Sequence, residues 1–229
     1  MIARDDIFVR NIAFWGSEQQ DILAGKSVFI AGVGALGCVV AEILVRCGIG
    51  RVVVADRGVI DPPDLNRQAL YTVGDLGEPK AYIAADRLKA LTGLTEVVAM
   101  NVSIGEDDIA GALSGCDGVA DCLDNFPSRF ALEDALPEKI FMVTGALRGD
   151  YGQLTSIIPG RTVRLRELFA GFGKTEKIVP VIPTIVFAAG SLMAQEILNN
   201  LLCKPQLAGR ILVVGMAGFY LEHVPVKPA

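Results

Sequence analysis

The chain is 229 residues long, 52% hydrophobic, with a formal net charge of −5 and five cysteines. This allows one large domain with a substantial core, excludes intrinsic disorder, and argues against a general nucleic-acid-binding surface. Cysteines 38, 47, 116, 122 and 203 form no Cys-x-x-Cys pair, so free thiols in a cytoplasmic protein are expected, and no structural zinc.

Met1 to Arg10 is charged and lacks the apolar run of a signal peptide. An apolar strand is expected over Ser27 to Ala31, followed by Gly32-Val33-Gly34-Ala35-Leu36-Gly37 and a helix from Ala35 to Cys47 that stops at Gly48. A second strand, Arg51 to Ala55, ends in Asp56. Arg57 to Gly77 is a long loop, and long loops in compact domains tend to be functional. The pattern then gives a helix over Lys80 to Leu91 and a strand over Glu96 to Val102. A short helix to Leu113, capped by Asp107-Asp108, leads to a strand over Asp117 to Cys122. A helix over Ser128 to Leu136, opened by Pro127, and a strand over Ile140 to Thr144 follow.

After Gly145 the character changes. Gly152 to Ile158 alternates like an exposed strand, Thr162 to Arg166 reads as another, and Ala170 to Lys177 as a mobile loop. A long apolar helix over Pro183 to Leu202 and strands over Arg210 to Val214 and Phe219 to Val224 complete the chain. Ile178 to Cys203 carries Pro180, Pro183, Gln195, Glu196, Asn199 and Asn200, so it reads as a buried helix or an oligomer interface and not as a membrane span. The alternation predicts an α/β fold: a Rossmann-like, mostly parallel sheet with helices on both faces and antiparallel strands added towards the C-terminus.

Several residues could carry chemistry. Gly32, Gly34 and Gly37 let a backbone approach phosphate, and the helix opened by Ala35 offers free N–H groups and a partial positive charge. Asp56, ending the second strand, is placed to bond ribose hydroxyls. Asn66, Arg67 and Gln68 sit in the long loop on the ligand edge. Lys80 opens a helix, where a cation is unfavourable for the dipole, so phosphate contact is one reason for it and a plain surface position is another. Asp121-Cys122-Leu123-Asp124-Asn125 offers a carboxylate for a magnesium ion or a cap for the next helix. Gly173-Lys174-Thr175 is no Walker loop, because Leu168 stands where the first glycine would be needed, and the lone His223 reads as a surface or packing residue.

Together these pieces resemble the ThiF/HesA/MoeB group of ubiquitin-activating-enzyme-like adenylyltransferases. The likeness runs from Arg10-Asn11-Ile12-Ala13-Phe14-Trp15-Gly16 through the glycine loop, Asp56, Leu65-Asn66-Arg67-Gln68 and Gly77-Glu78-Pro79-Lys80. It continues through Asp121-x-x-Asp124-Asn125 and Gly145 to Gln153, ending at Gly190-Ser191-Leu192-Met193-Ala194-Gln195-Glu196. The resemblance implies one domain over residues 1–229, with an N-terminal helical segment (1–25), an ATP-binding part (26–145) and an antiparallel extension with the loop and long helix (146–229). It implies adenylation of the C-terminal glycine of a ubiquitin-like sulfur-carrier protein by magnesium-ATP. Asp56 would hold the ribose, Arg67 and Lys80 would neutralise phosphate charge, and Asp124, beside Asn125, would position magnesium. Arg10 would enter from the neighbouring copy of a homodimer.

The chain departs from that pattern in three places. Asp64 stands where the group usually has asparagine, which adds negative charge near a polyphosphate and would bind a second cation or weaken ATP binding. Arg161 to Ala170 replaces the first zinc pair. No cysteine stands near Thr175 to Lys177, where the group carries its catalytic one. A catalytically reduced nucleotide-binding module is therefore a second reading, and an NAD-dependent oxidoreductase resting on the glycine loop and Asp56 is a third.

Overall fold

The structure, a computed structural model, describes residues 3–170 and 179–226. Strands β1 (Ser27–Ala31), β2 (Arg51–Ala55), β3 (Glu96–Met100) and β4 (Gly118–Asp121) precede β5 (Phe141–Arg148), β6 (Tyr151–Ile157), β7 (Arg210–Gly215) and β8 (Tyr220–Pro225). They form one eight-stranded sheet in the order β3-β2-β1-β4-β5-β6-β7-β8. The first five run parallel, and β6, β7 and β8 join antiparallel. The expected Rossmann-like α/β sheet is therefore present.

The parallel strands are short apolar runs buried on both faces, as strands sandwiched between helix layers must be. Along β1, Val28 and Ile30 enter a core shared with helices α3 (Ala35–Arg46), α4 (Lys80–Thr92) and α8 (Pro183–Leu201). Phe29 and Ala31 face the opposite core, filled by α5 (Ala110–Ser114), α6 (Phe126–Asp134) and α7 (Leu165–Leu168). The long apolar helix is buried through Ile185, Val186, Ala189, Met193 and Ile197, and its Gly190 lets it press against Val39 of α3. No helix of the described residues is long and apolar enough to cross a membrane. Ahead of the sheet, α1 (Arg4–Trp15) and α2 (Ser17–Ala24) pack at the far end of α3, where the Asn11 side chain donates to Arg46 O.

Three expectations give way. Gly152 to Ile158 is not an exposed strand: paired on both sides and covered by α8, most of it is buried, and a Cβ on Gly152 would touch Ile185 and Ala189. Thr162 to Arg166 is not a strand. The chain turns at Gly160, Arg161 N and Thr162 N donate back to Ile158 O, and the Glu133 carboxylate accepts from Leu165 N and Arg166 N to start α7. The helix after Asn125 begins at Phe126, with Pro127 inside its first turn. The loop expected over Ala170 to Lys177 lies, after Ala170, outside the described residues, as does Gly173-Lys174-Thr175.

Candidate nucleotide-binding site

The strand order switches at β1, which is flanked by β2 on one side and β4 on the other. Ligands of open α/β sheets sit in the crevice beyond the strand ends at such a point. Ala31 is level with Ala55 and with Asp121, so Gly32, Asp56 and Cys122 leave their strands side by side.

Each glycine of the loop has a separate reason. Gly32 has φ +85°, and a Cβ there would lie 3.0 Å from Cys122 O. A Cβ on Gly37 would sit 2.0 Å from Gly32 O, so only glycine lets α3 lie this close to the turn. Gly34 is different: its nearest neighbour in the protein would be Gln68 Nε2 at 3.8 Å. A Cβ there would make only ordinary contact with the described residues. No side chain caps α3 at Gly34, so the first N–H groups from Ala35 onward open on the crevice.

Asp56 braces this loop. One carboxylate oxygen accepts from Val33 N at 2.9 Å and the other from Gly58 N at 2.7 Å. Its remaining lone pairs stay available to hydroxyl donors. The Tyr71 hydroxyl, buried and thereby held well above its ordinary pKa, donates to Val33 O at 2.7 Å and ties the long loop to the glycine turn.

The long loop carries Asp64, Asn66, Arg67 and Gln68, and brings Asp64 against Lys80 at the start of α4. Lys80 Nζ pairs with Asp64 Oδ2 at 2.9 Å, both side chains being mostly buried. Asp64 also accepts from Gln68 Nε2 at 2.6 Å and from Asp61 N at 3.1 Å. Gln68 is 4% exposed, and its buried Oε1 has no partner among the described residues. Arg67 donates to Pro63 O and to Asn66 Oδ1, while Asn66 stays exposed.

Asp121 and Asp124 divide their expected roles. Asp121 is fully buried and accepts from Arg129 Nη1 at 3.0 Å and Thr144 Oγ1 at 2.6 Å. Arg129 also donates to Leu123 O and Gly145 O, binding the turn after β4 to the middle of β5. Asn125 caps α6 by accepting from Ser128 N at 2.9 Å. Asp124 is exposed, its carboxylate accepting from the Asn125 side chain. No cluster of three or more His, Cys, Asp or Glu able to hold a metal occurs among the described residues. A lone outward carboxylate suits magnesium, which keeps waters and takes the rest of its shell from substrate phosphates.

Arg10, on α1, is exposed. Its helix packs at the Arg46 end of α3, whereas the glycine loop lies at the Gly34 end. Near the crevice, burial pushes the Cys38 thiol up to about 12 and the Cys122 thiol well above its ordinary value, so both are protonated at neutral pH. His223 is exposed on β8. Tyr71, Arg129 and Thr144 escaped the sequence reading. The one available signal was Asp121: a carboxylate ending a fully buried strand requires a partner, and Arg129 lies on the next helix.

The glycine turn, the braced Asp56 and the Lys80–Asp64 pair stand at the switch point of a Rossmann-like α/β sheet. The chain belongs to the ThiF family, whose profile matches residues 8–228. It is 42% identical over 120 residues to the sulfur carrier protein adenylyltransferase of Thermus thermophilus, covering 52% of this chain and 44% of that protein. It is 30% identical over 222 residues to the SAMP-activating enzyme E1 of Haloferax volcanii, covering 93% and 81%. With the sulfur carrier protein ThiS adenylyltransferase of Bacillus subtilis it shares 35% over 149 residues, covering 64% and 44%. The chain thus spans less than half the length of two of these relatives. In fold it is similar to E. coli MccB solved with ATP (TM-score 0.80, 18% identity, covering 97% of this chain and 72% of that one) and to PaaA (TM-score 0.82, 15% identity, 99% and 86%).

Proposed function

We propose that the chain adenylates the C-terminal glycine carboxylate of a small ubiquitin-like sulfur-carrier protein, using ATP. The single observation that carries this is the mostly buried Lys80–Asp64 pair, whose Asp64 also holds Gln68, the nearest neighbour of Gly34 in the glycine turn. The names of the Thermus, Haloferax and Bacillus relatives support the same reaction. The carrier carboxylate attacks the α-phosphorus, the bond from that phosphorus to the bridging oxygen breaks, and pyrophosphate leaves with the electron pair. Such a step depends on positioning and on cations placed where charge develops.

In this reading the glycine turn and the start of α3 receive phosphate, and Asp56 bonds the ribose while bracing the turn. Lys80 and Arg67 neutralise charge on the β- and γ-phosphates. Asn66 and Gln68 line the same loop, and Asp124, whose carboxylate accepts from the Asn125 side chain, would hold magnesium, which would supply stabilisation of charge on the phosphate oxygens. Arg10 serves the site of a second copy in a homodimer; its place at the far end of α3 from its own glycine turn supports this. The five cysteines are all free, which fits a reducing cytoplasm.

The test is pyrophosphate exchange into ATP with a candidate carrier ending in Gly-Gly. Carrier-dependent exchange is expected, and its absence with every such carrier overturns the reading. Lys80 already paired to Asp64 favours a second reading, ATP binding without turnover. That predicts nucleotide binding with no exchange.

A further inference from the structure

We infer that Asp64 is a built-in competitor for the nucleotide's terminal phosphates, which loosens ATP binding and favours departure of pyrophosphate. This rests on the adenylating reading of the site. The Asp64 carboxylate is fully engaged: Oδ2 on Lys80 Nζ at 2.9 Å, Oδ1 on Gln68 Nε2 at 2.6 Å, with Asp61 N donating to Oδ2 at 3.1 Å. Asp61 and Asp64 cap one another across the short turn Pro62–Asp64, so the carboxylate cannot swing away.

A phosphate that recruits Lys80 therefore has two options. It takes the ammonium from Asp64, leaving a mostly buried carboxylate without its cation, or it shares the ammonium. In the shared arrangement both anions lie within two contact lengths of each other, in a place with little water to screen them. Either way each polyphosphate pays for Asp64, substrate and product alike. Once the α–β bond is broken, the same carboxylate is the nearest counter-ion waiting for Lys80, so the lysine is returned to Asp64 as pyrophosphate leaves. AMP has no terminal phosphates and escapes the competition.

The experiment is equilibrium binding of ATP, pyrophosphate and AMP to the full chain and to D64N and D64S, which remove the charge while keeping an oxygen for Asp61 N. Both variants are expected to bind ATP and pyrophosphate ~10-fold tighter, with AMP changed less than ~2-fold, because one unit of nearby like charge is removed. In turnover, KM for ATP falls while kcat does not rise, and pyrophosphate becomes the stronger product inhibitor. Folded variants with unchanged or weaker pyrophosphate binding overturn the inference, as does failure of both variants to fold. A wild-type chain that binds no ATP instead removes the adenylating reading itself.

Discussion

At Arg129 one guanidinium serves four acceptors: the Asp121 carboxylate, the Thr144 hydroxyl and the carbonyls of Leu123 and Gly145. It is 7% exposed, and its carboxylate partner is fully buried. Two of those acceptors flank the turn that carries Asp124, so Arg129 acts as a positioning residue for a group that it does not touch. Leucine at 129 would leave the buried Asp121 without its cation, with only Thr144 Oγ1 and Leu123 N still donating to it, and breaking such a pair costs about 3–5 kcal/mol. We expect R129L to melt far earlier than wild type. R129K keeps the charge but loses the two-ended fork, and is expected to fold with a raised magnesium requirement in exchange assays. An unchanged magnesium dependence in folded R129K would remove the positioning role. None of this was legible in the run Asp121-Cys122-Leu123-Asp124-Asn125, because which acid faces inward depends on where β4 ends. The sequence placed two carboxylates; burial separated them.

The glycine turn and α3 form one element, and its glycines divide by what they meet. Gly37 faces Gly32 O so closely that a methyl group must push α3 away from the sheet, and overpacking of this kind costs about 1–3 kcal/mol. Gly34 has room within the protein, so a methyl there is met only by the ligand. G37A is expected to lower the melting temperature by several degrees, on the order of ~4 °C or more. G34A should melt within ~2 °C of wild type yet bind ATP at least ~10-fold more weakly, since the backbone can no longer approach phosphate. Calorimetry and nucleotide titration on the same preparations separate the two outcomes, and equal ATP binding by G34A would contradict the assigned use of that glycine. The β-α-β unit itself was legible because its apolar runs, glycines and terminal Asp56 are local signals. The strand expected over Thr162 to Arg166 failed because a remote acid, Glu133, takes up the N–H groups of Leu165 and Arg166 and starts a helix instead.

For the whole molecule the open question is whether one chain makes a complete site. Arg10 sits beside the end of α3 that is farthest from the glycine turn, so a site needing it would draw it from a second copy. R10A and D124N, each inactive alone, are then expected to regain about a quarter of wild-type exchange when mixed and allowed to swap subunits, because half the dimers are mixed and each has one intact site. No recovery after verified subunit exchange would overturn the assignment of Arg10 to the site of a second copy.

The sequence by itself determined the α/β fold and the family, because glycine spacing, strand-ending acids and turn-borne cations are local chemistry written in order along the chain. The tertiary structure decided which charges oppose one another: Lys80 against Asp64, sixteen positions apart, and Arg129 against Asp121 across a strand and a helix. Those pairings depend on where loops cross the sheet edge and how far water is excluded. Neither distance nor burial is encoded in the spacing of residues.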